Sequence, residues 1–316
     1  LIFAFCCGTG YSDSFPFWEN NLTYEGESVY NYLQVYENDE RVALSTNVLF
    51  GVQSVYMKQD ELTGMYYDYA MAAPLMLKDK PTDQMDVLIL GMGTGTYATQ
   101  CRKYFGDMNI EGVEIDEKIT DLSRKYFSLS EDVPVTTYDG RAFLNASQKA
   151  YDVIMVDAYQ DITIPFQMSS KEFFALVKSH LKDDGVMVVN MNMRGTKEGN
   201  INQYLSDTIG SVFTTEVIVD VAGSSNREIF ASDDPDIGKN LTKHTGELTN
   251  ANLKNMMQEV ASNLTEYQKG NYILTDDQAP VELLGMQVID ELIKDEVQYY
   301  KDIYKERGIK GLMESL

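Results

Sequence analysis

Histidine and cysteine are scarce: the chain has two histidines and three cysteines in 316 residues. Cys6 and Cys7 are adjacent, Cys101 stands alone and no CxxC spacing occurs, a pattern that builds neither a disulfide framework nor a zinc site. His180 and His244 share no metal-ligand or triad spacing, and His180 falls near the end of a predicted helix, where a cation suits the dipole. No metal is expected, so acid–base chemistry falls to carboxylates, tyrosines and lysines. Positive charge is also in short supply. Lys and Arg number 26 against 49 Asp and Glu, a net charge of -23 that repels phosphate backbones and anionic lipid heads and argues against a nucleic-acid partner. Such a field admits a cationic ligand, although an acidic surface also serves solubility alone. Long apolar runs are missing as well. Residues 1–7 are apolar but too few to cross a bilayer; with residues 8–13 they read either as the stub of a transmembrane or signal segment, hence a membrane tether, or as a buried strand. Sequons at Asn21, Asn145, Asn240 and Asn263 carry meaning only in a secretory pathway, which nothing else in the sequence supports.

What is present divides in two. Residues 14–80 read as a small β-domain with a connecting helix: strand-like runs at 29–36, 42–44 and 48–50 precede apolar and aromatic residues at helical spacing over 64–77. From Pro81 to the end, strands alternate with helices, the pattern of a parallel sheet with crossover helices. Strands are predicted at 87–90, 110–115, 133–137, 151–156, 186–190, 215–219 and 228–231, about seven in all. Ser169 and Glu172 form a capping box for a following helix. From Val281 onward, Val288, Ile289, Leu292, Ile293, Val297 and Tyr300 fall at helical spacing, predicting an amphipathic helix packed on the domain or on a partner.

The chemistry gathers at strand ends. Gly91-Met92-Gly93-Thr94-Gly95 follows a buried strand and opens a helix, so its backbone turns sharply and approaches a ligand closely. Glu114, with Asp116 beside it, ends the next strand about 20 residues on, where a carboxylate accepts both ribose hydroxyls. A pyrophosphate-binding turn would place glycine where Thr96 stands, which favours an adenosyl ligand without pyrophosphate. Asp139, followed by Gly140, and Asp157 close two further strands at the edge where open α/β sheets bind ligands. Asp139 suits the adenine amino group and Asp157 the proton chemistry; the structural alternative for each is a helix N-cap.

These motifs, with Tyr66-Tyr67-Asp68 ahead of them, resemble the spermidine synthase (polyamine aminopropyltransferase) family over about residues 25–235, in particular bacterial spermidine synthase-like domains fused to membrane segments. Ser54-Val55-Tyr56, Leu62 to Tyr66, Asp157-Ala158-Tyr159 through Phe166, and Thr275 to Glu282 extend the likeness. The resemblance implies a Rossmann-like class I methyltransferase domain behind a small N-terminal β-domain, a homodimer, and a cytoplasm-facing site. It implies transfer of an aminopropyl group from decarboxylated S-adenosylmethionine to an amine such as putrescine, releasing methylthioadenosine. By the same likeness Asp157 is the base, Tyr66, Tyr67 and Asp161 line the amine site, and Asn31, Glu114 and Asp139 touch the nucleoside. Three departures stand out: Thr94 occupies a place where typical members carry aspartate, the second acid after Asp157 is displaced by one residue, and the 222–226 segment lacks a pocket tyrosine. An S-adenosylmethionine-dependent methyltransferase, or a non-catalytic nucleoside- or polyamine-binding sensor domain of a membrane protein, would share much of this pattern.

Overall fold

The computed structural model describes residues 21–47, 52–59, 62–158, 164–192, 195 and 197–315. Residues 1–13, read above as a stub or a buried strand, the predicted run at 48–50 and Asp161 lie outside them. An antiparallel sheet comes first, β1 (Leu22–Glu27), β2 (Tyr32–Glu37), β3 (Arg41–Thr46) and β4 (Ser54–Met57), in that order. β2 starts later than its apolar run because Ser28 Oγ accepts from the N–H groups of Tyr30 and Asn31 and closes a turn there. Asn38 does the same for the β2–β3 hairpin, its Oδ1 accepting from Glu40 and Arg41 N–H. Leu33, Val35, Val42 and Leu44 form the sheet's inner face.

Where one helix was expected over 64–77 there are two, α1 (Tyr66–Ala70) and α2 (Ala72–Leu75). Pro74 explains the break: it has no N–H to donate to Ala70 and its ring would crowd that carbonyl. The freed Ala70 carbonyl accepts instead from the Tyr97 hydroxyl at 3.3 Å.

The remaining elements are β5 (Asp86–Leu90), α3 (Thr96–Phe105), β6 (Asn109–Glu114), α4 (Glu117–Tyr126), β7 (Val135–Thr137), α5 (Gly140–Ala146), β8 (Tyr151–Val156), α6 (Lys171–Ser179) and β9 (Leu181–Met191). After them come α7 (Ile201–Gly210), β10 (Thr215–Asp220), β11 (Arg227–Ser232), α8 (Ile237–Glu247), α9 (Ala251–Asn263), β12 (Thr265–Glu266) and α10 (Val281–Ser315). They build one eight-stranded sheet in the order β12-β10-β11-β9-β8-β5-β6-β7, one strand more than expected, parallel from β9 to β7 and antiparallel beyond. The chain runs from β5 outward through β6 and β7, then returns to β8 on the other side. Between the carboxyl ends of β5 and β8 lies the switch point at which such sheets bind ligands.

Apolar side chains cover both sheet faces. The N-terminal sheet packs its inner face on Ile119, Leu122 and Phe127, in and after α4, which brings it over the ligand edge of the large sheet. Ser170, not Ser169, caps α6, accepting from Phe173 N–H; Ser169 bonds back to the Phe166 carbonyl. In α10 the first turns are packed, through Val281, Leu284 and Val288, while Ile293 and Val297 are exposed. A left-handed Gly308 divides that helix near its end. Among the described residues no helix is long and apolar enough to cross a membrane.

Candidate active site

A cavity of about 310 Å³ opens at the switch point, roofed by β3, β4 and α1 and floored by the ends of β5, β6, β8 and β9. Gly91 must be glycine. Its φ is +86°, and a Cβ there would lie 2.5 Å from the Asp157 carbonyl oxygen. The turn therefore packs directly on the strand end that carries Asp157, and Gly93, at φ +54°, gives the cavity a bare stretch of backbone.

Glu114 holds that turn in place. Its Oε2 accepts from Gly93 N–H at 2.8 Å and its Oε1 from Asp116 N–H at 3.0 Å. Burial pushes its carboxyl above the usual range, opposed by those N–H groups. Asp139 caps α5, Oδ1 accepting from Ala142 N–H at 2.8 Å, while Gln167 Nε2 stands 3.5 Å from its other oxygen. It lines the cavity with Gly140 and so is both cap and lining.

Asp157 lies at the centre. Tyr66 donates its hydroxyl to Oδ2 at 2.5 Å, and Asn190 Nδ2 donates to Oδ1 at 2.9 Å. Burial pushes the carboxyl up to about 7, although both bonds pull it down. The Tyr66 hydroxyl is held well above the usual phenol range by burial and by the charge of Asp157, so it acts as a donor. Tyr67 packs on Tyr66 with ring centroids 4.0 Å apart, and its hydroxyl donates to the Gln53 carbonyl with Ser54 Oγ 3.0 Å away. Asp68 turns away and locks the entry to α1, accepting from Thr63 N–H and Oγ1 and from Gly64 N–H.

Of the residues singled out from sequence, Asn31, Tyr66, Tyr67, Gly91, Gly93, Glu114, Asp139, Gly140 and Asp157 converge on the cavity. Thr94, Gly95 and Asp116 are not among its lining. Thr94 is buried, its hydroxyl 3.0 Å from that of Thr96, which donates to the Val55 carbonyl and ties the turn to β4. Gly95, left-handed, is the N-cap of α3 and leaves room for Leu129. Asp116 caps α4 and clamps the N-terminal sheet, accepting from Lys118 N–H, Ser28 Oγ and Asn31 Nδ2.

The lining also holds residues that the sequence pattern did not single out. Asn190 and Asn226 line the cavity, and Asn226 Nδ2 donates to Asn190 Oδ1 at 2.9 Å, completing a relay of amides to Asp157. The available signal was an asparagine at the carboxyl end of an otherwise apolar strand. Among the described residues no cluster of three His, Cys, Asp or Glu is arranged for a metal ion.

Comparison with known proteins bears on the family and the fold. Residues 65–221 match the spermine/spermidine synthase domain. The chain is 54% identical to a probable polyamine aminopropyl transferase of Bifidobacterium longum, over 96% of this chain and 71% of that protein. A spermidine synthase solved with the transition-state analogue AdoDATO superposes with a TM-score of 0.61 at 21% identity, covering 77% of this chain and 84% of the other. Human methyltransferase-like protein 13, solved with SAH, gives 0.51 at 20% identity over 67% and 99%. The two structural likenesses bear on the fold, and they make the large sheet a class I methyltransferase-like one.

Proposed function

Since this chain belongs to the spermine/spermidine synthase family, we propose that it moves the aminopropyl group of decarboxylated S-adenosylmethionine to a cationic amine such as putrescine, releasing methylthioadenosine. One observation carries the reading: Asp157, raised to about 7 and held between two donors, faces the cavity beside the glycine turn. A base of that strength takes the proton that the substrate ammonium must lose before its nitrogen attacks carbon. The cavity fits the nucleoside: Gly93 leaves its backbone uncovered, and Glu114, Asp139 and Asn31 supply polar atoms around it. When bound, the sulfonium supplies an electrophilic methylene and a neutral thioether leaving group.

The chain's own residues do the rest. Asp157 accepts the proton of the attacking nitrogen, Tyr66 and Asn190 fix the direction of its oxygens, and the Tyr66–Tyr67 pair walls the amine side. The net charge of -23 favours entry of a polycation. A homodimer, a membrane tether and a cytoplasm-facing site belong to the same proposal on family resemblance.

Mass spectrometry of an amine panel incubated with each sulfonium compound tests the reading. An acceptor heavier by one aminopropyl group supports it, one heavier by a methyl group makes the chain a methyltransferase, and no product with intact nucleoside binding leaves a sensor.

A further inference from the structure

Glu228 is the least explained charge-bearing side chain near the site. It is completely buried, and among the described residues neither carboxyl oxygen has a hydrogen-bond partner. Its place follows from register. Val156 pairs with Val189 across β8 and β9, and Asn190 pairs with Glu228 across β9 and β11. Cross-strand partners share one face of a sheet, so Asp157, Asn190 and Glu228 form a row across three adjacent strands. Asn226, two residues before Glu228, lies on the same face and joins Asn190. Asp157, Asn190 and Asn226 line the cavity, so Glu228 stands one side chain beneath its floor.

Among the described residues the ionisable groups coupled to it are Asp157, whose charge acts on it, and Tyr67 and Tyr97, on which its own charge would act; none is a cation. Burial first, then Asp157, holds the Glu228 carboxyl well above the usual range, which favours its protonated form. A buried carboxyl with no partner is costly to keep, and an apolar residue of similar volume would pack there more cheaply. Its presence makes sense if a cation arrives. A diamine brings two: the nitrogen that attacks, attended by Asp157, and an ammonium that keeps its charge.

We propose that Glu228 is the latent counter-charge for the non-reacting ammonium of a diamine: when the diamine enters above Asp157 and Asn190, Glu228 gives its proton to solvent. The balance is one positive charge gained and one proton lost. Glu228 is a positioning residue, acting on the amine through the amide row. The inference rests on the aminopropyl-transfer reading only in taking a diamine as the ligand.

The test is calorimetry on the full chain, saturated with methylthioadenosine and titrated with 1,4-diaminobutane in two buffers of different ionisation enthalpy. Wild type is expected to release more protons per diamine than Glu228→Gln, by up to about one. Glu228→Gln should raise the diamine KM about tenfold or more while leaving methylthioadenosine affinity unchanged. Butylamine, with one nitrogen, should show no difference between the two proteins. Glu228→Met serves as a second variant, and thermal unfolding of both checks that the core stands, because each replaces a buried group. Equal proton counts and equal diamine affinities in wild type and variants would overturn the proposal while leaving the transfer reading intact. Glu228-dependent proton release without any aminopropyl product would overturn the transfer reading and keep this one. Absence of diamine binding to wild type defeats both.

Discussion

Tyr66 donates its hydroxyl to Asp157 Oδ2 across 2.5 Å, joining a short helix beside the N-terminal sheet to the end of strand β8. The bond works against the burial that raises Asp157. Donors favour the ionised carboxylate, so Tyr66 and Asn190 keep the group near neutrality rather than higher. A base whose proton affinity matches the working pH transfers protons most effectively. The tyrosine therefore sets when Asp157 can act, besides walling the cavity.

Tyr66→Phe isolates that effect, since it keeps the ring against Tyr67 and removes only the hydroxyl. Loss of a donor to the charged form should move the acidic limb of the rate profile to higher pH. At pH 7 the rate should fall about tenfold, as expected for one charge-assisted hydrogen bond of roughly 1.5 kcal/mol. Initial rates from pH 6 to 9 read it out; a loss of rate with an unmoved profile would give Tyr66 a packing role only.

Glu114 should be needed for the nucleoside. Ligand at about 100 times its dissociation constant should stabilise the wild-type fold by roughly 2.7 kcal/mol. In Glu114→Ala the Gly93 and Asp116 N–H groups lose their acceptor and the turn loses its brace. Most of the methylthioadenosine-induced thermal shift should vanish, and a full shift in the variant would reduce Glu114 to a structural acid.

How much of this was readable beforehand depends on the distance over which each residue acts. The glycine turn, Glu114, Asp139 and Asp157 announce themselves because strand-end chemistry is local: apolar run, turn, acid. Pro74 also carried a local message, the loss of a hydrogen bond to Ala70, although the apolar spacing around it suggests one helix. Asn190 and Asn226 are different, since Asn190 meets Asp157 only once β9 lies beside β8, and Asn226 joins it only once β11 inserts antiparallel beside β9, pairings no local pattern encodes. Asp116 reads as a ligand-binding acid from its neighbour Glu114, yet its partners Ser28 and Asn31 come from the other sheet. Thr94 stands inside the glycine turn by sequence, but its side chain is buried with the hydroxyl toward Thr96.

A control lies at the opposite edge of the large sheet. Asp152, buried at the start of β8, accepts from Lys80 at 2.6 Å, Lys182 at 2.9 Å and Asp86 N–H at 2.8 Å. Asp152→Asn keeps an acceptor but removes the counter-charge of Lys80 and one of the two that Lys182 has, Asp86 being the other. Both lysines are partly solvated, which trims the cost to roughly 1–2 kcal/mol. Denaturant titration should show that loss, with kcat and KM unchanged, because the ligand edge is at the strands' other end. A changed KM would mean that the two edges are coupled.

Asp157→Asn should abolish turnover and leave nucleoside affinity nearly intact. Asparagine matches aspartate in size and still accepts from Tyr66, but it cannot take the proton that the attacking ammonium must lose. Removal of a positioned base costs about 10²–10⁴ in rate, whereas a purely structural exchange at this place would cost little. For wild type, kcat/KM should rise with pH through about 7, where Asp157 ionises, and then level. Stability should run the other way. The folded carboxyl binds its proton more tightly than the unfolded one, near 3.9, so between about 4 and about 7 the native state holds more protons. Stability contributed by Asp157 is thus complete below about 4 and lost as pH rises through about 7. Asparagine does not ionise, so Asp157→Asn should gain stability relative to wild type between pH 5.5 and pH 8. Rates and melting temperatures of both proteins over that range decide the matter together. A variant with near wild-type rate removes Asp157 from the chemistry, and a relative stability that stays flat with pH contradicts the raised carboxyl. Higher pH should also rescue part of the variant's activity, because more of the amine then arrives already deprotonated.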